Sequence, residues 1–191
     1  MDFRWFVRKL VRGVGFDLRR YSELGDPEAR ERRASADPLW RIHRMAVGDR
    51  DGVATLNLAG NSLSSSLLEM LPAHADSAPE SAYVGTEAVP TRRLDGLFES
   101  LATAGNAVFL KIDTQGFERQ VLEGAAGCLD RIATLQVEMS LVPLYAGAPS
   151  FDELLTTLAS RGYELVGLEP GFAEPATGRL LQADGLFHRY R

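Results

Sequence analysis

The chain has 191 residues, 45% of them hydrophobic, and a net charge of −5. That length and apolar share suit one globular domain with its own core, and the mild acidity argues against a general nucleic-acid binder, which is as a rule basic. One cysteine excludes an internal disulfide, and no signal-peptide pattern is present, so the expected compartment is the reducing cytoplasm.

No apolar run approaches the ~20 residues of a membrane span. His43, His74 and His188 are scattered without metal-ligand spacing, so no metal site is expected. Lys9 and Lys111 are the only lysines among 21 basic residues, which reads as coding bias and not as chemistry.

Phe3, Phe6, Val7, Leu10, Val11 and Val14 fall at helical spacing, with Arg4, Arg8, Lys9 and Arg12 opposite. The pattern predicts a basic amphipathic helix over 3–14. Such a helix docks on its own domain, or lies on a membrane or an acidic partner. Gly13-Val14-Gly15 ends that helix. It is not a dinucleotide fingerprint, since no strand precedes it and no third glycine follows in place. Residues 22–38, "SELGDPEARERRASADP", are charge-dense and suit a surface helix or a connector.

From Trp40 the texture changes. "WRIHRMAVGD" and "GVATLNLAG" alternate, with Val53, Thr55 and Asn57 opposite Ala54, Leu56 and Leu58. Asp49-Arg50-Asp51-Gly52 between them predicts a hairpin turn. "NSLSSSLLEM" is serine-rich, and "PAHADSAPES" predicts a mobile loop. Leu94, Leu97, Phe98 and Leu101 share a helical face, with Gly105 as the stop.

"AVFLKI" is near-continuously apolar, as in strands buried on both faces of a parallel sheet. Phe117, Val121, Leu122, Ala125, Cys128, Leu129 and Ile132 then repeat at helical spacing. A strand "ATLQVEMSL", a helix "SFDELLTTLASRG" and two strands, "YELVGLEPG" and "GRLLQADGLFHRYR", complete the chain. The order predicts an α/β fold ending in an antiparallel strand pair.

The stretch "VFLKIDTQGFERQVLEGA" carries the chemistry. In open α/β sheets ligands bind beyond the carboxyl ends of strands, and Asp113-Thr114-Gln115-Gly116 stands at such an end. Either Asp113 or Thr114 caps the following helix, or the group forms a site, and the two are compatible. Glu138 shares a strand face with Gln136 and Ser140, opposite Leu135, Val137, Met139 and Leu141. On a central strand a carboxylate needs a partner or an open end. Glu138 therefore reads as a site residue beside Asp113 or as part of a wet edge strand.

"LKIDTQGFERQVLEGA" resembles the core motif of the FkbM-type methyltransferases. "DPLWRIHRMAVGDRDGVATLNLAGNSLSSSLLEM", "YVGTEAVPTRRLDGL", "LQVEMSLVPLYAGAPSF" and "GYELVGLEPGFAEPATGRLLQADGLFHRY" resemble the family's consecutive blocks over roughly 36–190. The opening "LVRGVGFDLRRY" is similar to a common family start. The resemblance implies a class I methyltransferase (Rossmann-like) sheet, mostly parallel with an antiparallel C-terminal strand pair. It implies S-adenosylmethionine as donor and O-methylation of a small-molecule hydroxyl, on a sugar or polyketide-like product. By family position, Asp113 orients or deprotonates that hydroxyl with Glu138 beside it, and Asp49 lies near the adenine. Gln115, Glu118 and Tyr145 line the substrate side.

One departure stands out. The family's D-V-G-A-N-x-G-like turn, and the second strand whose acidic end holds the ribose, belong before "DPLWRIHRMAVGD". Only "SELGDPEARERRASA" stands there, too short for two βα units. The expected layout is a helix and connector over 1–35 and an incomplete methyltransferase domain over 36–191. Such a sheet closes differently or exposes an edge open to homo- or hetero-oligomer pairing. The alternative function is an inactive remnant serving as a binding or oligomerisation partner.

Overall fold

The computed structural model describes residues 43–102 and 107–190. The expected helix over 3–14, the expected connector over 22–38, the Gly105 stop and the stretch before Trp40 where the glycine-rich block was expected lie outside the described residues. All but the first two described residues belong to one compact unit, Met45–Arg191.

Seven strands form two sheets among the described residues. β1 (Ala46–Val47), β2 (Gly52–Ala59) and β3 (Tyr83–Arg92) make the smaller sheet, in the order β1-β3-β2. β4 (Val108–Ile112), β5 (Ile132–Ser140), β6 (Glu164–Pro170) and β7 (Gln182–His188) make the larger, in the order β4-β5-β7-β6.

The mostly parallel sheet expected from the sequence is not what forms. β1–β3 and β4–β5 are parallel, while β2–β3, β5–β7 and β6–β7 are antiparallel. The reason is β7. It inserts between β5 and β6 and so contributes two antiparallel seams at once.

The hairpin expected at Asp49–Gly52 is also absent. β1 and β2 both pair with β3, which lies between them, so the segment spans a strand instead of turning back on one. β3 escaped the periodicity reading because Gly85 and Pro90 interrupt it. Pro90 is tolerated because β1 reaches only Thr91 and Arg92, leaving no ladder bond for its missing N–H on that side.

"PAHADSAPES", expected as a loop, holds helix α1 (Pro72–Ser77) and a 3₁₀ turn at Pro79–Ser81. Pro72 and Pro79 start these two turns, where a missing N–H does no harm. α2 (Leu94–Leu101) buries Leu94 and Phe98, while Leu101 at its end is exposed. α3 (Glu118–Gly124) and α4 (Phe151–Ser160) follow β4 and β5. α4 opens with the reciprocal Ser150/Glu153 capping box and buries Leu154 and Leu158.

The main core lies on one face of the larger sheet. Ile112, Leu135, Val137, Met139 and Phe187 meet Val121, Leu122, Leu154 and Leu158 there. β4 is an edge strand among the described residues, with Lys111 exposed and only Ile112 fully buried, so it is not apolar on both faces as expected. β5 is interior, and its alternation is real: Leu135, Val137 and Met139 are buried, and Gln136, Glu138 and Ser140 half-buried on the other face.

Cys128 is 2% exposed in this core, and burial pushes its thiol up to about 11. It is expected to resist alkylation in the native chain at neutral pH and to react once the chain unfolds. Mass spectrometry after brief iodoacetamide treatment, with and without denaturant, checks this. Rapid native labelling would contradict the packing around α3. No helix among the described residues is long and apolar enough to cross a membrane.

Candidate active site

The turn after β4 is built by Glu118. Its Oε1 accepts from the Thr114 N–H, the Thr114 hydroxyl and the Gly116 N–H, each at 3.1 Å. The residue is 3% exposed. Burial raises its pKa, against the pull of these hydrogen bonds. Neither Asp113 nor Thr114 caps α3, because the helix begins at Glu118 with Phe117 as its N-cap and no side-chain cap bond. Glu118 instead reaches back and satisfies the turn.

That turn bends through the left-handed region twice. Gln115 has φ 54° and Gly116 φ 98°. A non-glycine residue there is strained by about 1–3 kcal/mol and persists only when its surroundings hold it. Ser66 supplies the hold: its hydroxyl donates to the Gln115 carbonyl at 2.7 Å and accepts from the Leu68 N–H at 3.0 Å. Gly116 tolerates no side chain, since a Cβ would stand 2.8 Å from the Cβ of Tyr145 and 3.1 Å from that of Ala148.

This backbone aims the Gln115 amide at two carboxylates. Nε2 donates to Asp113 Oδ1 at 2.9 Å and to Glu138 Oε2 at 2.7 Å. Oε1 accepts from the Tyr145 hydroxyl at 2.8 Å. The amide fits only this way round, because carboxylates need its N–H groups and the phenol needs its oxygen. Gln182 Nε2 adds a second donor to Glu138 Oε2 at 2.8 Å. Lys111 Nζ pairs with Asp113 Oδ2 at 3.1 Å, with the two side chains 33% and 37% exposed.

The charges are unbalanced. Burial holds the Glu138 carboxyl well above the usual range, helped by the negative charges of Asp113, Glu118 and Asp184 and opposed by Lys111. Burial lowers the Lys111 ammonium, but Asp113, Asp184 and Glu138 outweigh it and the net shift is upward. Burial also raises Tyr145, which remains a neutral donor. Behind it the buried His74 ring stands 5.1 Å away, its Nε2 3.3 Å from Ser64 Oγ, and burial lowers its pKa.

Of the residues expected from the sequence, the structure gathers Asp113, Gln115, Glu138 and Tyr145 into one hydrogen-bonded group, with Glu118 beneath it. Asp49 takes no part in these bonds. It follows β1, and its carbonyl accepts from Arg93 Nη1 at 2.6 Å. Arg93 also grips Asp95 with Nε and Nη2, at 3.1 and 2.6 Å, and reaches the Glu123 carbonyl at 3.2 Å.

Sequence reasoning missed Gln182, Ser66, His74 and Lys111. Gln182 and Ser66 look like any strand or loop polar residue until the register and fold place them. Lys111 had a signal: it lies two positions before Asp113 on one strand face. It pairs with Asp113 at the end of that strand.

A mixed α/β fold with two carboxylates at neighbouring parallel strand ends is consistent with a methyltransferase-like fold. The family model for the methyltransferase FkbM domain matches residues 18–165, and the chain belongs to the FkbM methyltransferase family. Neither a curated protein nor a solved structure matches it.

FkbM methyltransferases generally use S-adenosylmethionine as donor. The Thr114 and Gly116 N–H groups that could cradle a ligand are taken by Glu118, and the space a glycine would offer is filled by Tyr145 and Ala148. The described residues at this turn therefore do not fit the donor.

Proposed function

We propose that the Asp113–Gln115–Glu138–Tyr145 group is the acceptor side of an FkbM-type O-methyltransferase. Its substrate is a small molecule bearing a hydroxyl, of sugar or polyketide-like type. One observation carries the reading: a single amide nitrogen holds two carboxylates at neighbouring strand ends. A hydroxyl must shed its proton as it is alkylated, and a half-exposed carboxylate within hydrogen-bond reach receives it. Asp113 is that carboxylate. Lys111 and Gln115 orient it, Tyr145 locks the amide, and Glu118 holds the turn.

Asp113→Asn is expected to cut turnover at least ~100-fold with little change in melting temperature. The assay is formation of S-adenosylhomocysteine from S-adenosylmethionine with a panel of sugars and polyols. Turnover within about twofold of the parent chain would remove Asp113 from this role.

A second reading rests on the closed turn. It takes the glycine-rich block to be missing and not replaced by the β4 turn. On this reading the chain is a remnant without activity of its own that binds or completes another protein. Calorimetric titration with S-adenosylmethionine separates the two. Micromolar binding supports the enzyme, with the donor half built by another segment or chain. No heat up to millimolar donor supports the remnant.

A further inference from the structure

The two oxygens of Glu138 are not equivalent. Oε2 accepts from two amides, Gln115 at 2.7 Å and Gln182 at 2.8 Å. Oε1 accepts from no described residue. It is also not among the buried polar atoms lacking a partner, which are Ser62 Oγ, His74 Nδ1 and Gln120 Oε1. With no partner and no place among those sealed atoms, it keeps some access to solvent on the half-buried face of β5.

The charged groups around it come from each neighbouring element. Asp113 stands at the end of β4, Glu118 on α3, and Asp184 directly across on β7. Among the described residues the cation acting on it is Lys111, already paired with Asp113. Adding a further anion to three carboxylates and one ammonium is unfavourable, so a proton on Glu138 relieves the site. With Oε2 saturated by donors, Oε1 is where that proton sits.

Resting on the acceptor reading above, we infer that Glu138 Oε1 carries a proton and donates a hydrogen bond to one oxygen of the ligand, while Asp113 accepts from a hydroxyl on the adjacent carbon. Both carboxylates bind one nitrogen, so their bonded oxygens lie within about 6 Å of each other, two hydrogen-bond lengths at most. A donor on the reacting oxygen itself would draw electron density from the oxygen that must attack. The donor thus belongs to its neighbour. The ligand class is a vicinal diol, or a hydroxyl beside an ether or ring oxygen, as sugars present. The raised pKa of Glu138 agrees with this proton inventory.

The test uses the full chain with ¹³C-labelled carboxyl groups, followed by NMR across pH. The probes are cis-1,2-cyclohexanediol and cyclohexanol. The Glu138 carboxyl is expected to be protonated near neutral pH. The diol is expected to shift Glu138 and Asp113 together and to bind at least about tenfold more tightly than the mono-alcohol. That preference should vanish as pH rises through the Glu138 titration. Glu138→Gln places an amide N–H where Oε1–H stands, so its preference should persist at alkaline pH. An ionised Glu138 near neutral pH overturns the inference and needs no variant to show it. So does a diol that binds at Asp113 with no advantage over cyclohexanol. If neither alcohol shifts either carboxyl, the acceptor reading falls as well.

Discussion

Gly124→Ala is expected to lower the melting temperature of the full chain by roughly 10 °C. Gly124 ends α3 where the helix meets the loop after β1. A Cβ there would stand 1.9 Å from the Gly48 carbonyl oxygen and 2.8 Å from its carbon. Both are backbone atoms with no flexible end to swing away. Gly48 cannot retreat freely either, because its N–H donates to the Arg92 carbonyl at 3.0 Å and extends the β1–β3 pairing. Overpacking against backbone costs about 3 kcal/mol, and a chain of this size loses roughly 2–4 °C per kcal/mol. Gly96→Ala on α2 is the control. A Cβ at Gly96 meets nothing within 4 Å, so this change is expected to stabilise by about 0.5–1 kcal/mol through helix propensity. Calorimetric melting of both variants checks the pair. Equal melting of Gly124→Ala and the parent chain would refute the close approach of α3 to the small sheet.

Glu138→Gln is expected to stabilise the chain above the acid range, by an amount that grows with pH and then levels off. The sign follows from proton uptake. A carboxyl whose folded pKa is raised binds its proton more tightly in the native state than in the unfolded one. Stability is then lost as pH climbs from the ordinary glutamate value of about 4.3 to the raised folded value. One such proton gives a slope of at most about 1.4 kcal/mol per pH unit. The amide variant has no proton to lose and keeps the same donors on Gln115 and Gln182. Glu118 tilts stability the same way and the lowered His74 the opposite way, but both are present in either chain. The difference in melting temperature between the two chains across pH therefore isolates Glu138. A difference that stays constant with pH would mean Glu138 titrates normally.

Much of the larger sheet was legible beforehand. β5 alternates strictly, α4 is bounded by Ser150 and Gly162, and the last two strands pair antiparallel. These are local patterns, and helix and strand periods act over a few residues. The smaller sheet was less legible. β3 carries Gly85 and Pro90, and its place between β1 and β2 depends on two partners that both lie earlier in the sequence. α1 was hidden in a segment rich in loop-forming residues.

The same division runs through the site. The sequence by itself determined the family, the Asp113–Gly116 turn at a strand end and a carboxylate at Glu138, because these lie in short segments whose residue types and order are specific. Only the tertiary structure decided that Gln115 binds both acids instead of waiting for a ligand, and that Glu118 holds the turn from beneath. It alone brought Gln182 and Ser66 to them. Those contacts join positions up to 49 residues apart, and a hydrogen bond across such a gap exists only once strand register and a left-handed backbone at Gln115 have set its direction.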